Sequence, residues 1–397
     1  YASASSPSAT GLTSGQSATI SEVDSAGQAQ TVAANGTITV TLDSSSPSYK
    51  LASGGTTGNT VSILKFAGTN EEIDLKRVAL QLTNTASSTA ADVSKVTIWD
   101  GATQVGEATF TSGIHATSTF TQTVTIPKNG IKLLTVKADF TDIGTGKAGT
   151  EGHLIAVDYD NDDSTGTRGI GAESGATINR TSGSDSASSG VRVFNTFPTI
   201  TKLSVPTNTL SNGDKVLLRW KVTADSMGDV GISKFTAVIA TTTATVTGLD
   251  LYAYTDAGFS NVVSGLSSDG GFLVTNKVGG EWTSSATQLD FAAETSGAAS
   301  TTVQVPAGGV RYFEIRGTIA GSAAGASVST QLEGDNAYPA LASTFVAQAA
   351  DIGTTHDDFL WSPNATSTQA VTDTDWTNGY GVSGLPGTNM PAEVISQ

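Results

Sequence analysis

The chain has 397 residues, 38% hydrophobic and only 14% charged, and its 36 acidic against 20 basic side chains leave a formal net charge of −16. That is enough apolar material for true cores and enough length for two or three modules, which excludes a chain disordered throughout. The acid excess excludes a nucleic-acid partner and disfavours an anionic membrane surface, since both need basic side chains against phosphate. The lack of cysteine excludes disulfides, thiol catalysis and thiolate metal sites.

Ser, Thr, Gly, Ala and Asn take the place of the missing charges, a composition that suits strands and turns rather than helices. A large secreted chain without disulfides fits a bacterial or archaeal surface better than an animal one. No run of about 18 apolar residues is present, so no helical membrane insertion is expected. Tyr1 stands where an initiator Met would be and reads as a processed end or a boundary; no apolar helix follows it, so it is not a type IV pilin start.

In chain order, residues 1–33 are Ser-, Ala-, Gly- and Thr-rich and read as an extended segment, with 15–33 a candidate donor strand for a neighbouring copy. Residues 34–166 read as a first β-sandwich repeat. Val61–Phe66, Arg77–Leu82 and Lys95–Trp99 alternate apolar and polar residues with period two, and Asp100-Gly101 and Asn129-Gly130 mark turns. Residues 167–190 read as a flexible loop or linker. Residues 191–345 read as a second sandwich, and 346–397 as an aromatic, turn-rich tail whose rings need a surface to pack on, in their own domain or in a neighbouring copy.

The two sandwiches read as a duplication. Val124 to Phe140 aligns without a gap to Val303 to Ile319, matching Pro127 with Pro306, Gly130 with Gly309, Leu134 with Phe313, Val136 with Ile315 and Lys137 with Arg316. Ile73–Leu82 aligns with Val230–Ile239, and Val93–Trp99 with Val246–Tyr252. Asp158-Tyr-Asp160-Asn161 aligns with Glu333-Gly-Asp335-Asn336. The expected fold class is therefore all-β: two tandem Ig-like antiparallel β-sandwiches related by duplication, with extended terminal segments.

The tail, with Asp358-Phe-Leu-Trp361-Ser-Pro-Asn364, Thr374-Asp375-Trp376-Thr-Asn-Gly379-Tyr380 and Gly384-Leu385-Pro386, resembles the C-terminal end of large secreted surface proteins of candidate-phyla (Patescibacteria) bacteria, which often carry sandwich repeats. The resemblance covers 357–386 and implies a cell-envelope or extracellular structural role. The chain has no peptidoglycan-binding or S-layer-homology module, so the mode of anchoring stays open.

Candidate chemistry is sparse. Asp158, Asp160, Asp162 and Asp163, with Glu333 and Asp335 in the second repeat, are candidate calcium ligands, although Asp163 stands where a calcium loop needs Gly. The alternative for this motif is a solvated acidic turn. Asp373 and Asp375 make a weaker pair. Asn35, Asn179 and Asn364 each open a glycosylation triplet. His115, His153 and His356 lack metal-ligand spacing and an adjacent nucleophile, and Gly144-Thr-Gly-Lys147 lacks the leading Gly and following Ser/Thr of a phosphate loop. Trp99 and Tyr252 fit sheet-face packing better than a sugar platform. No catalytic residue and no cofactor other than calcium is expected. The sequence thus points to a non-enzymatic, self-assembling homopolymer at the cell surface, a filament or an S-layer lattice. The alternative is an adhesin or carbohydrate-binding module in contact with glycan or envelope.

Overall fold

Period-two alternation becomes paired strands almost wherever it occurs. The computed structural model describes residues 9–19, 35–83, 88–111, 113–183, 187–266, 271–274, 288–293, 295, 301–338, 358–365, 375–385, 387 and 389–397. The chain divides into residues 1–34 and 35–397. In the first unit β1 (Ala9–Thr10) pairs with β2 (Ser17–Ala18) as a small antiparallel hairpin that turns through Gly15 at φ 62°. Ser17 and Ala18 of the candidate donor strand are thus taken up within their own hairpin, and 20–33 lie outside the described residues.

The second unit opens with β3 (Thr37–Leu42), β4 (Lys50–Ser53), β5 (Asn59–Thr69), β6 (Ile73–Leu82), β7 (Val93–Asp100), β8 (Thr103–Ala108), β9 (His115–Ile126), β10 (Ile131–Phe140), β11 (Leu154–Ile155), β12 (Val157–Tyr159), β13 (Arg168–Gly171), β14 (Thr177–Gly183) and β15 (Val191–Phe194). It continues with β16 (Pro198–Leu203), β17 (Gly213–Ala224), β18 (Val230–Thr242), β19 (Thr245–Tyr254), β20 (Gly271–Val274), β21 (Gln288–Ala292), β22 (Val303–Val305), β23 (Val310–Ala320), β24 (Ser327–Leu332), β25 (Phe359–Ser362) and β26 (Glu393–Ser396). No helix in it is long and apolar enough to cross a membrane, among the described residues.

The first sandwich packs the layer β3-β5-β10-β7-β8 against β6 with β9, β12, β13 and β14. The second packs β16-β17-β23-β19-β20 against β18 with β21, β22, β24, β25 and β26. The first core is largely aliphatic (Ile38, Val40, Leu64, Leu80, Leu134, Val136), whereas the second is built on rings. Trp220 stacks on Phe313 at 5.6 Å, and Phe235 on Phe359 at 5.0 Å.

The duplication extends to hydrogen-bond register. Ile73 pairs with Ile126 as Val230 pairs with Val305, and Val136 pairs with Ile98 as Ile315 pairs with Leu251. The Gly130 amide closes on the Pro127 carbonyl at 3.0 Å and Gly309 on Pro306 at 2.7 Å. Even an irregularity repeats: β6 slips register between Leu75 and Arg77, and β18 between the corresponding Ile232 and Lys234. A bulge at that point returns Val78 and Phe235 to the core and turns Arg77 and Lys234 to the outer face.

Two boundaries and one alignment register differ from the sequence reading. Residues 167–190 are no simple linker: β13 lies on β6, and β14 runs parallel to β3, tying the two layers together. The tail is part of the second sandwich, since β25 pairs with β18 and β26 with β24. The acidic motifs align two residues away from the sequence match. The Asp160 amide donates to the Ala79 carbonyl and the Glu333 amide to the corresponding Thr236 carbonyl, so Asp160 corresponds to Glu333 and Tyr159 to the core residue Leu332. Burial of an apolar side chain at that strand end, rather than likeness of acids, fixes the register.

Candidate functional site

Two of the acidic residues, Asp160 and Asp163, cap their own turns. Asp158 and Asp160 are buried on and just after β12, Asp163 is half-buried and Asp162 exposed. Asp160 Oδ1 accepts the amides of Asp162 (2.9 Å) and Asp163 (3.3 Å), and its Oδ2 meets His115 Nδ1 at 2.8 Å. Burial pushes the Asp163 carboxyl up, but donors from Thr165 and Gly166 outweigh it and leave the group below its ordinary value. His115, Ala116, Thr117, Asp160, Asp162 and Asp163 line an open groove of about 350 Å³. Sequence spacing missed the His115–Asp160 pair because β9 and β12 meet only through β6. His153 makes a similar contact, its Nδ1 2.7 Å from buried Asp92. His356 lies outside the described residues.

In the second repeat the motif grips the tail. Asp335 Oδ1 accepts the Asp358 amide at 2.8 Å, and Oδ2 accepts those of Gly379 at 2.7 Å and Phe359 at 3.3 Å. Burial, with the Asp358 charge nearby, pushes the Asp335 carboxyl up to about 7. Glu333 instead takes the Gln288 side-chain amide. Among the described residues no three acidic or histidine side chains converge as a metal site.

The remaining sequence candidates settle locally. Asn35 and Asn179 are exposed, but the Asn364 side-chain amide donates to the Asp229 carbonyl (3.1 Å) and Gln304 Oε1 (2.9 Å), which occupies the nitrogen a glycan would need. Gly144 and Lys147 close a turn, with Lys147 Nζ 3.1 Å from Asp142. Trp99 and Tyr252 are half-buried at matching positions, with Lys137 Nζ 4.2 Å from the first ring and Arg316 Cζ 5.0 Å from the second.

The most elaborate constellation is the joint between the two sandwiches, where β4 and β15 run parallel in the sheet β11-β15-β4. Ser53 Oγ donates to Asp225 Oδ1 at 2.7 Å across it. Buried Arg192 donates from Nε to the Tyr49 hydroxyl at 2.8 Å and lies 3.5 Å from the Tyr338 ring. Burial pushes the Tyr49 hydroxyl up to about 12. The tail closes the joint. The fully buried Trp361 meets Phe194 edge-on at 5.0 Å and donates from Nε1 to the Asn378 carbonyl at 2.7 Å. Tyr380 packs on Tyr49 at 4.6 Å, and the Ile200 amide donates to the Ser383 carbonyl at 2.8 Å. Glu151 of the first repeat accepts the Asn195 amide at 3.1 Å, and desolvation, with Asp375 of the tail adding its charge, pushes it up to about 8. These contacts hold parts together, and no activated nucleophile sits among them.

No family model and no curated protein matches the chain. Solved structures give faint likenesses. The C-terminal domain of the AgI/II polypeptide BspA of Streptococcus agalactiae is 9% identical over 74% of this chain and 95% of that one, at a TM-score of 0.19. The collagen adhesin of S. aureus is 12% identical over 76% and 86%, at 0.17. A structure described as manganese lipoxygenase of Gaeumannomyces graminis with partial zonadhesin of Komagataella pastoris is 12% identical over 75% and 88%, at 0.18. Identity and TM-score are too low for these chains to speak to function.

Proposed function

We propose that this chain is an extracellular, non-enzymatic structural subunit of a cell surface that assembles with copies of itself. The observation that carries the reading is the joint: Ser53, Tyr49 and Glu151 of the first repeat bond Asp225, Arg192 and Asn195 of the second, and Tyr380 of the tail packs on Tyr49, so two duplicated sandwiches become one mechanically continuous unit. A load-bearing module needs such a coupling between its domains. The acid excess keeps single copies soluble, and calcium is the natural counter-ion for their association. Negative-stain electron microscopy of the purified chain, with calcium and with chelator, tests this. Filaments or sheets are expected; single particles under both conditions would rule out self-assembly. A melting temperature unmoved by calcium would remove the ion.

The adhesin reading has one specific support. On the outer face of β10, Ile131 is 60% exposed and Leu133 39% exposed, and the adjacent β7 carries half-buried Trp99. Monomers that shift in melting temperature with a glycan would favour it.

A further inference from the structure

We propose that Lys234 and Asp290 become joined by an intramolecular isopeptide bond across the outer face of the second sandwich. Thr236 pairs with Asp290 and Lys234 with Ala292 on the adjacent strands β18 and β21, so Lys234 and Asp290 are diagonal neighbours on one face. The core contacts of Phe235, Leu289 and Phe291 identify that face as the outer one. Both residues are nevertheless buried, at 6% and 7% exposure, with Lys234 Nζ 3.8 Å from Asp290 Oδ1. Thr236 Oγ1 donates to the same Oδ1 at 2.5 Å and fixes the carboxyl opposite the amine. Gln288, two residues along the same face, donates its side-chain amide to Glu333 and Asp358.

The first repeat is an internal control. The bulge that turns Lys234 outward also occurs in β6, where the residue is Arg77, and the position corresponding to Asp290 is Thr117, paired with Ala79 as Asp290 is paired with Thr236. Arg77 donates to the Thr165 carbonyl at 2.6 Å instead. At this pair of positions the first repeat has a guanidinium and a hydroxyl, and the second sets an amine against an acid.

The chemistry balances without a co-reactant. A proton passes from the Lys234 ammonium to the Asp290 carboxyl, the neutral amine attacks Cγ, and the C–O bond breaks. An ammonium and a carboxylate become one amide and one water. Burial favours this direction, because ions taken out of water are costly unless paired and the amide removes both charges. Held proximity supplies the rest.

The test is the intact mass of the full purified chain in denaturant, followed by tryptic mapping. The expected mass is lower than the sequence mass by one water, with no cleavage after Lys234 and a branched peptide joining 222–277 to 278–311. Lys234→Arg, which keeps the cation, should restore the full mass. A wild-type chain at its full sequence mass, or one lacking a water but giving no branched peptide, would overturn the proposal.

Discussion

Three residues show how much of this molecule rests on single backbone and charge contacts. Gly384 has φ 86°, and a Cβ there would stand 1.6 Å from the Ile200 carbonyl oxygen, so Gly384→Ala meets both backbone strain and a clash with main chain. It should lower the denaturation midpoint by the equivalent of about 3 kcal/mol or more; a midpoint within error of wild type would show that the segment is not seated on β16. Glu151 and Asp335 make the opposite kind of contact, carboxyls held above their ordinary values, at about 8 and about 7. Such groups bind their proton more tightly folded than unfolded. Their stabilisation is whole below the unfolded carboxylate range of roughly pH 4 and is lost as pH rises through the folded values. The melting temperature should therefore fall by some degrees between about pH 5 and pH 8, and Glu151→Gln should flatten the upper part of that fall. A curve that rises across the interval would refute the assignment.

Among the elements, β25 is the one whose role the sequence least reveals. Phe359-Leu-Trp361-Ser looks like an aromatic surface motif, yet all four residues are buried, and the strand completes the sheet beside β18. Trp361→Ala should cost about 3–5 kcal/mol, as for other buried aromatics cut to Ala, and urea unfolding would read it. Removal of everything from 358 onward deletes β25 and β26 together and strips the cover from Phe194 and Ile200. The shortened chain should aggregate or lose the fluorescence change of Trp220 on unfolding. A soluble truncated chain with wild-type stability would mean that the tail is an addition to the second sandwich and not a part of it. By contrast β5, β6, β7, β10 and their counterparts were legible, because each carries enough alternating residues to define a face by itself.

For the whole molecule, the joint decides whether the duplicated sandwiches behave as two bodies or one. Tyr49, Ser53 and Glu151 of the first repeat meet Arg192, Tyr380, Asp225 and Asn195 of the second and its tail, so unfolding of either repeat strips these contacts from the other. Calorimetry of the chain should show one dominant cooperative transition; two well-separated transitions with the tail intact would mean that the joint carries little energy. An isopeptide between Lys234 and Asp290 would reinforce the repeat that bears the tail.

The sequence by itself determined the all-β class and the duplication, down to the Pro127 and Pro306 turns. Alternation and turn chemistry are local, and two copies of one pattern must solve the same packing problem alike. It also placed the acidic motifs, but not their register, which Tyr159 and Leu332 set by filling the core. Only the tertiary structure decided that 177–183 lies beside β3, that Trp361 lies under Phe194, that Asn364 spends its amide on Asp229 and Gln304, and that Lys234 faces Asp290. These are pairings between distant segments, and a strand's own residues specify a face and a period but not which strand will lie alongside it.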